Sequence, residues 1–139
     1  MSTNTTAAGP GRIVVGVDGS AAGDEALRWA VRLAPTLGAT VQVVSAWELE
    51  FEPASRDIVD ETIRRVFGGA APDGLDVLVK AGNPARLLLD AGRGATMIVV
   101  GSRGVGGFTG LLLGSVSRSV AEHATCPVMI VRQPQPTQE

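Results

Sequence analysis

Lysine occurs once in the chain, at Lys80, histidine once, at His123, and cysteine once, at Cys126; tyrosine is absent. Each scarcity removes a class of chemistry. A single cysteine makes an intrachain disulfide impossible and leaves too few thiolates for a cysteine-based zinc site. It precedes Pro127 at the mouth of the last apolar run, where a buried, inert thiol is expected. His123 has no second histidine to pair with, and its default is a surface position near a helix C-terminus, where positive charge is tolerated. Two Trp and three Phe are too few for a base-stacking platform. The formal net charge is −2 with no basic block, so the footprint of a nucleic-acid or anionic-membrane binder is missing. No run approaches the ~18 apolar residues of a membrane span. Met1 to Gly11 has neither a basic n-region nor an apolar h-region, so no secretory signal is read there. By elimination, the expected location is cytoplasmic.

What remains is a folded chain. Hydrophobic residues make up 45% and charged residues 19%, a balance that excludes wholesale disorder. A length of 139 residues predicts one domain with one substantial core. Residues 1–11, rich in Ser, Thr, Ala and Gly, and residues 133–139, Gln-Pro-Gln-Pro-Thr-Gln-Glu, read as disordered tails. The body is a single domain over 12–132.

Within that body, strand and helix patterns alternate. Ile13-Val14-Val15-Gly16-Val17 is a short apolar run of the kind buried on both faces of a parallel sheet. Asp18-Gly19-Ser20 breaks it, with Ser20 as helix N-cap and Asp24 and Glu25 near the first turn. The helix carries Leu27, Ala30, Val31, Ala34 and Leu37 on one stripe, is disturbed by Pro35 near its end, and stops at Gly38. Thr40–Trp47 is a second strand and residues 48–54 a connection. Ser55–Phe67 is an amphipathic helix with Ile58, Val59, Ile63, Val66 and Phe67 inward, and Asp60–Arg64 and Glu61–Arg65 as outward pairs. Leu75–Val79 alternates like an exposed edge strand. Asn83-Pro84 caps and starts a helix bearing Leu87, Leu88 and Ala91. Thr96–Val100 and Val128–Val131 are the last two strands, with a helix between them carrying Val116, Val120 and Ala124 on one face. This alternation predicts an α/β fold, an open parallel sheet with helices on both faces.

The most informative stretch joins the fourth strand to the fourth helix. Gly101-Ser102-Arg103-Gly104 is followed, nine residues on, by Gly114-Ser115. A glycine-rich segment between a strand's carboxyl end and a helix's amino end is where open parallel sheets bind ligands and where backbone N–H groups favour an anion. Ser115 has a hydroxyl placed to cap that helix or to bond a phosphate oxygen. No Lys-Ser or Lys-Thr pair follows a glycine, which excludes a Walker A loop. Counting from Gly104 and Gly106, Thr109 stands where a dinucleotide fingerprint needs glycine. A surface loop that binds nothing is the bland alternative.

The spacing Gly-x2-Gly-x9-Gly-Ser resembles the nucleotide-binding signature of the universal stress protein family. Ile13–Ser20, Met97–Gly104 and Gly114-Ser115-Val116 leading to Cys126-Pro127-Val128 match that family in the right order, across nearly the whole body. The resemblance implies a Rossmann-like five-stranded sheet in the order 3-2-1-4-5, ATP as ligand with Mg²⁺, and a regulatory, stress-adaptation role with little or no catalysis. It assigns Gly101, Gly104, Gly114 and Ser115 to the phosphate and ribose loop, and Gly16, Val17 and Asp18 to the end of the first strand, where the acid approaches ribose or a metal ion. Ala46 falls where backbone meets adenine, and Val116 contributes an amide N–H. Arg103 is a phosphate candidate by charge and location, with a solvated loop arginine as its alternative. Asp18 has an alternative too, support of the first helix start. The family's dimers also point to a homodimer through Pro127–Arg132, an uncharged edge strand until its last residue. Two other readings stay open: a slow ATPase or phosphoryl-transfer enzyme, which the lack of a nearby lysine and second acid disfavours, and a nucleotide-independent interaction module.

Overall fold

The computed structural model describes residues 10–47, 52–103 and 113–133, with side chains in the second stretch described from residue 56. The expected tails fall largely outside these residues, as do Gly104, Gly106, Gly107 and Gly110. The elements run β1 (Gly11–Gly16), α1 (Ala21–Leu37), β2 (Ala39–Trp47), α2 (Glu52–Phe67), β3 (Leu75–Ala81), α3 (Pro84–Ala91), β4 (Met97–Gly101), α4 (Ser115–His123) and β5 (Val128–Val131). All four strand pairings are parallel and the sheet order is β3-β2-β1-β4-β5, the expected α/β fold. None of the described helices is long and apolar enough to cross a membrane.

Side-chain alternation divides the core in two. Ile13, Val15, Val43 and Val99 face α1 and α2, where Leu27, Ala30 and Val59 pack on them. Val14, Val44, Ile98 and Val100 face α3 and α4, meeting Leu88 and Val120. Ile13, Val14 and Val15 are all fully buried, because β1 is the middle strand and has helices over both faces. β3 is an edge, and Val77 there is 41% exposed.

Local signals set the helix starts. The Ser20 hydroxyl accepts from Gly23 N–H and Asn83 accepts from Arg86 N–H, each satisfying an orphan donor of a first turn. α1 ends at Gly38 in the left-handed region.

Three details depart from the sequence pattern. α2 starts at Glu52, inside the expected connection. Ile58 and Leu37 are not inward: they are 36% and 40% exposed, since α2 turns Val59 and Thr62 to the core, and Leu37 lies in the last turn of α1. Arg64 pairs with Glu61, while Arg65, besides its expected contact with Glu61 at 3.6 Å, reaches across to α1. Its Nε and Nη2 donate to the two oxygens of Asp24 at 2.8 and 3.1 Å, and Nη2 also donates to Thr62 Oγ1 at 3.3 Å. Such two-pronged geometry beats a local pair on one helix. The bond to Asp24 raises the Arg65 pKa above the usual guanidinium value. α2 is thereby tied to the first turn of α1.

Candidate functional site

β1 leads through two crossovers to β2 and β3 on one side, whereas β4 and β5 lie on the other. The chain direction across the sheet therefore reverses between β1 and β4, and a crevice opens above their carboxyl ends. Gly16 ends β1 at that crevice, with Val17 and Asp18 directly after it; Gly101 ends β4, followed by Ser102 and Arg103.

Asp18 is exposed and held in one orientation. Its Oδ1 accepts from Ser20 N–H at 3.0 Å and from the Ser20 hydroxyl at 2.6 Å, and that hydroxyl accepts from Gly23 N–H at 3.1 Å. The carboxylate thus supports the start of α1 and also presents its charge at the crevice. Of the two roles expected for it, the support of the α1 start is the one these bonds make. Val17 is buried among the α1 and α2 contacts, leaving only its backbone for a ligand. Gly16 packs against Leu88, whose Cδ1 would lie 2.9 Å from a Cβ there.

The two ends of the glycine segment are clamped together. Ser102 C=O accepts from Gly114 N–H at 2.7 Å and from the Ser117 hydroxyl at 3.1 Å, which also reaches Gly114 C=O at 3.1 Å. Ser102 N–H donates to Val131 C=O at 2.7 Å, so the clamp is anchored on β5. Ser102 and Ser117 are buried, and reasoning from the glycines missed both. The available signal was Ser117 itself, a polar residue on the buried stripe of α4 with Val120 and Ala124.

The cap of α4 differs from that expected. Gly114 occupies the N-cap and, among the described residues, no side chain caps the helix; Ser115 is the first helical residue and is exposed. The first-turn N–H groups, Val116 among them, therefore lack the side-chain acceptor that Ser20 and Asn83 supply to α1 and α3. The Val116 side chain packs inward. Arg103, half-buried, follows the clamp directly.

Gly101 has a different reason for being glycine. A Cβ there would lie 2.7 Å from the carbonyl carbon and the Cβ of Ala22, so the position is required by the close approach of α1 to β4.

Ala46 follows from strand geometry. Residues of a parallel strand turn their N–H and C=O alternately to either neighbour. Val44 C=O accepts from Val17 N–H at 3.1 Å, the last bond on that side, and Trp47 C=O turns to β3 and accepts from Gly82 N–H. Ala46 is oriented like Val44, so its N–H and C=O point to the β1 side beyond the end of the β1 ladder. Trp47, next to it, has a buried indole N–H with no hydrogen-bond partner among the described residues. Lys80 is level with Ala46 in register, nearer than its place in the chain implies, but its side chain lines a cleft with Arg12, Gln42 and Asp90, none of them site residues.

The remaining singletons keep to the background. Burial pushes the Cys126 thiol up from its ordinary pKa, disfavouring the reactive thiolate. His123, in the last turn of α4, bonds Ser119 C=O through Nδ1 at 2.9 Å. Among the described residues no three His, Cys, Asp or Glu side chains gather to hold a metal.

Comparison with known proteins agrees with this arrangement. The sequence model of the universal stress protein family covers residues 10–132. A universal stress protein of Mycolicibacterium smegmatis is 38% identical over 134 residues, 86% of this chain and 45% of that protein. The chain spans about half the length of the curated relatives it matches. A universal stress protein solved in complex with cAMP is 28% identical, with a TM-score of 0.71 over 91% of this chain and 100% of that one. One from Lactobacillus plantarum, 23% identical, shares the fold at a TM-score of 0.72 over 90% of this chain and 99% of its own. With sheet order, crevice and family model in agreement, this chain belongs to the universal stress protein family.

Proposed function

We propose that the chain binds ATP at the β1/β4 crevice as a regulatory ligand and turns it over slowly or not at all. The observation that carries this reading is the clamp of Ser102, Gly114 and Ser117. It brings the carboxyl end of β4 against the amino end of α4, where first-turn N–H groups and the helix dipole favour phosphate oxygens. The relative solved with cAMP supports an adenine nucleotide. The outward backbone of Ala46 supplies one donor and one acceptor in the pattern an adenine edge requires. Gly104, Gly114, Ser115, Val116 and Arg103 then serve the phosphates, and Gly16, Val17 and Asp18 the ribose. Mg²⁺ suits this donor set. A single carboxylate, Asp18, together with phosphate oxygens is the usual way that ion is held, and it screens Asp18 from the phosphates.

Little catalysis is expected because the crevice offers no positioned base and no lysine to stabilise a transferred phosphoryl group. The setting we propose is cytoplasmic, in stress adaptation.

Equilibrium binding of labelled ATP with and without Mg²⁺, followed by product analysis over hours, tests the reading. Wild-type protein should bind ATP, more tightly with Mg²⁺. Gly114→Val should abolish binding with the fold intact by circular dichroism. A folded Gly114→Val variant that binds ATP normally would overturn the site. Turnover near ~10 s⁻¹ that is lost in Asp18→Ala would replace the regulatory reading with an enzymatic one.

A further inference from the structure

Ile58 is one of three large apolar side chains that the described residues leave substantially exposed; Leu37 and Val77 are the others. Those two have simple settings, the last turn of α1 and an edge strand. Ile58 does not. It stands on α2 against the β1–α1 turn, where a Cβ on Gly19 would lie 3.4 Å from its Cγ2. Gly19 adopts φ +88°, a backbone that side-chain-bearing residues rarely take, so at this position the turn lays no side chain over Ile58. The neighbouring residue is Asp18.

α2 is held in this place through its C-terminal end. It begins at Glu52, shortly after Ala46 and Trp47 close β2. Near its other end, Arg65 grips Asp24 at 2.8 and 3.1 Å, in the same first turn of α1 whose Gly23 N–H bonds Ser20 and, through it, Asp18. Ile58 is therefore registered to the carboxylate through α1 itself.

We infer that Ile58 forms the apolar wall against which the heteroaromatic base of the bound nucleotide lies, so that α2, and not only the strand ends, selects for a base. The inference rests on the nucleotide reading above and deepens it. Ala46 can read a base edge by backbone, but a ring also needs apolar surface on its faces. The backbone and the carboxylate at the ends of β1 and β2 supply none, and Ile58 does. A side chain kept partly exposed in the unliganded chain gains its burial when the ring arrives.

The test is calorimetric titration with ATP and, separately, with inorganic tripolyphosphate, for wild type, Ile58→Ser and Ile58→Leu. Ile58→Ser should weaken ATP about fivefold to tenfold, the scale of burying part of one aliphatic side chain. Ile58→Leu should restore affinity, and tripolyphosphate should bind all three alike. Wild-type ATP affinity in Ile58→Ser would overturn the inference while leaving the nucleotide reading intact. So would equal losses for ATP and tripolyphosphate, since the effect would then lie in the site as a whole. Wild-type protein that binds neither ligand would overturn both.

Discussion

A methyl group at position 101 would press on the backbone of Ala22, not on a flexible side-chain tip, so neither neighbour can yield without moving a helix or a strand. Gly101→Ala should therefore cost about 1–3 kcal/mol, the range for overpacking, read as a lower urea midpoint with an unchanged slope. An unchanged midpoint would mean that α1 shifts at no cost and that the glycine answers to the ligand instead. Gly101 also marks a limit of the sequence. Its place in the signature was legible, but its packing reason was not, because Ala22 is near it only after folding. Ser20 and Asn83-Pro84 were legible as caps because a cap is made within a few residues of itself. Ser117 was hidden because its acceptors are carbonyls, which leave no mark in a sequence.

At the scale of elements, the tie between α1 and α2 is the contact most exposed to experiment. The Asp24 side chain is 10% exposed and Arg65 42%, so the pair lies between a solvated bridge and a buried one. Arg65→Gln would strand a largely buried carboxylate. We expect a loss of about 1 kcal/mol, above the median for exposed pairs and well below the buried extreme because water still reaches the arginine. A double-mutant cycle with Asp24→Asn checks it, and a coupling energy near zero would reject the tie. Helical spacing pointed Arg65 to Glu61, and that contact exists at 3.6 Å. The stronger partner sits on another helix, where no periodicity can find it. The same helix phase decides Ile58: one step of rotation separates it from Val59, which is 2% exposed.

For the whole molecule, the two edges of the sheet are unlike. β3 carries Asp76 and Lys80, charges that blunt an edge, whereas β5 reads Val-Met-Ile-Val. Bare apolar edges invite pairing, and we expect two copies to pair antiparallel through β5 in a closed, self-complementary dimer. Met129 and Ile130 pack toward opposite faces of the sheet. Lysine at both should give a monomer by light scattering, and a wild-type protein that is monomeric at micromolar concentration would dismiss the dimer. The strand order could not be had from the residues alone, since pairing is set between distant segments. The resemblance to a family supplied it, and the register confirms it.

The clamp at Ser102 has a further consequence, for tolerance to change. Because Ser102 is bonded to Gly114, Ser117 and Val131, the end of β4 and the start of α4 are fastened by bonds that lie on the frame itself. Doubling the length of a connection between fixed ends costs only about 0.6 kcal/mol in chain entropy. We therefore expect insertions between Arg103 and Leu113 to leave the stability of the sheet nearly unchanged, so that a lineage or a designer can vary that connection while the frame stays as it is.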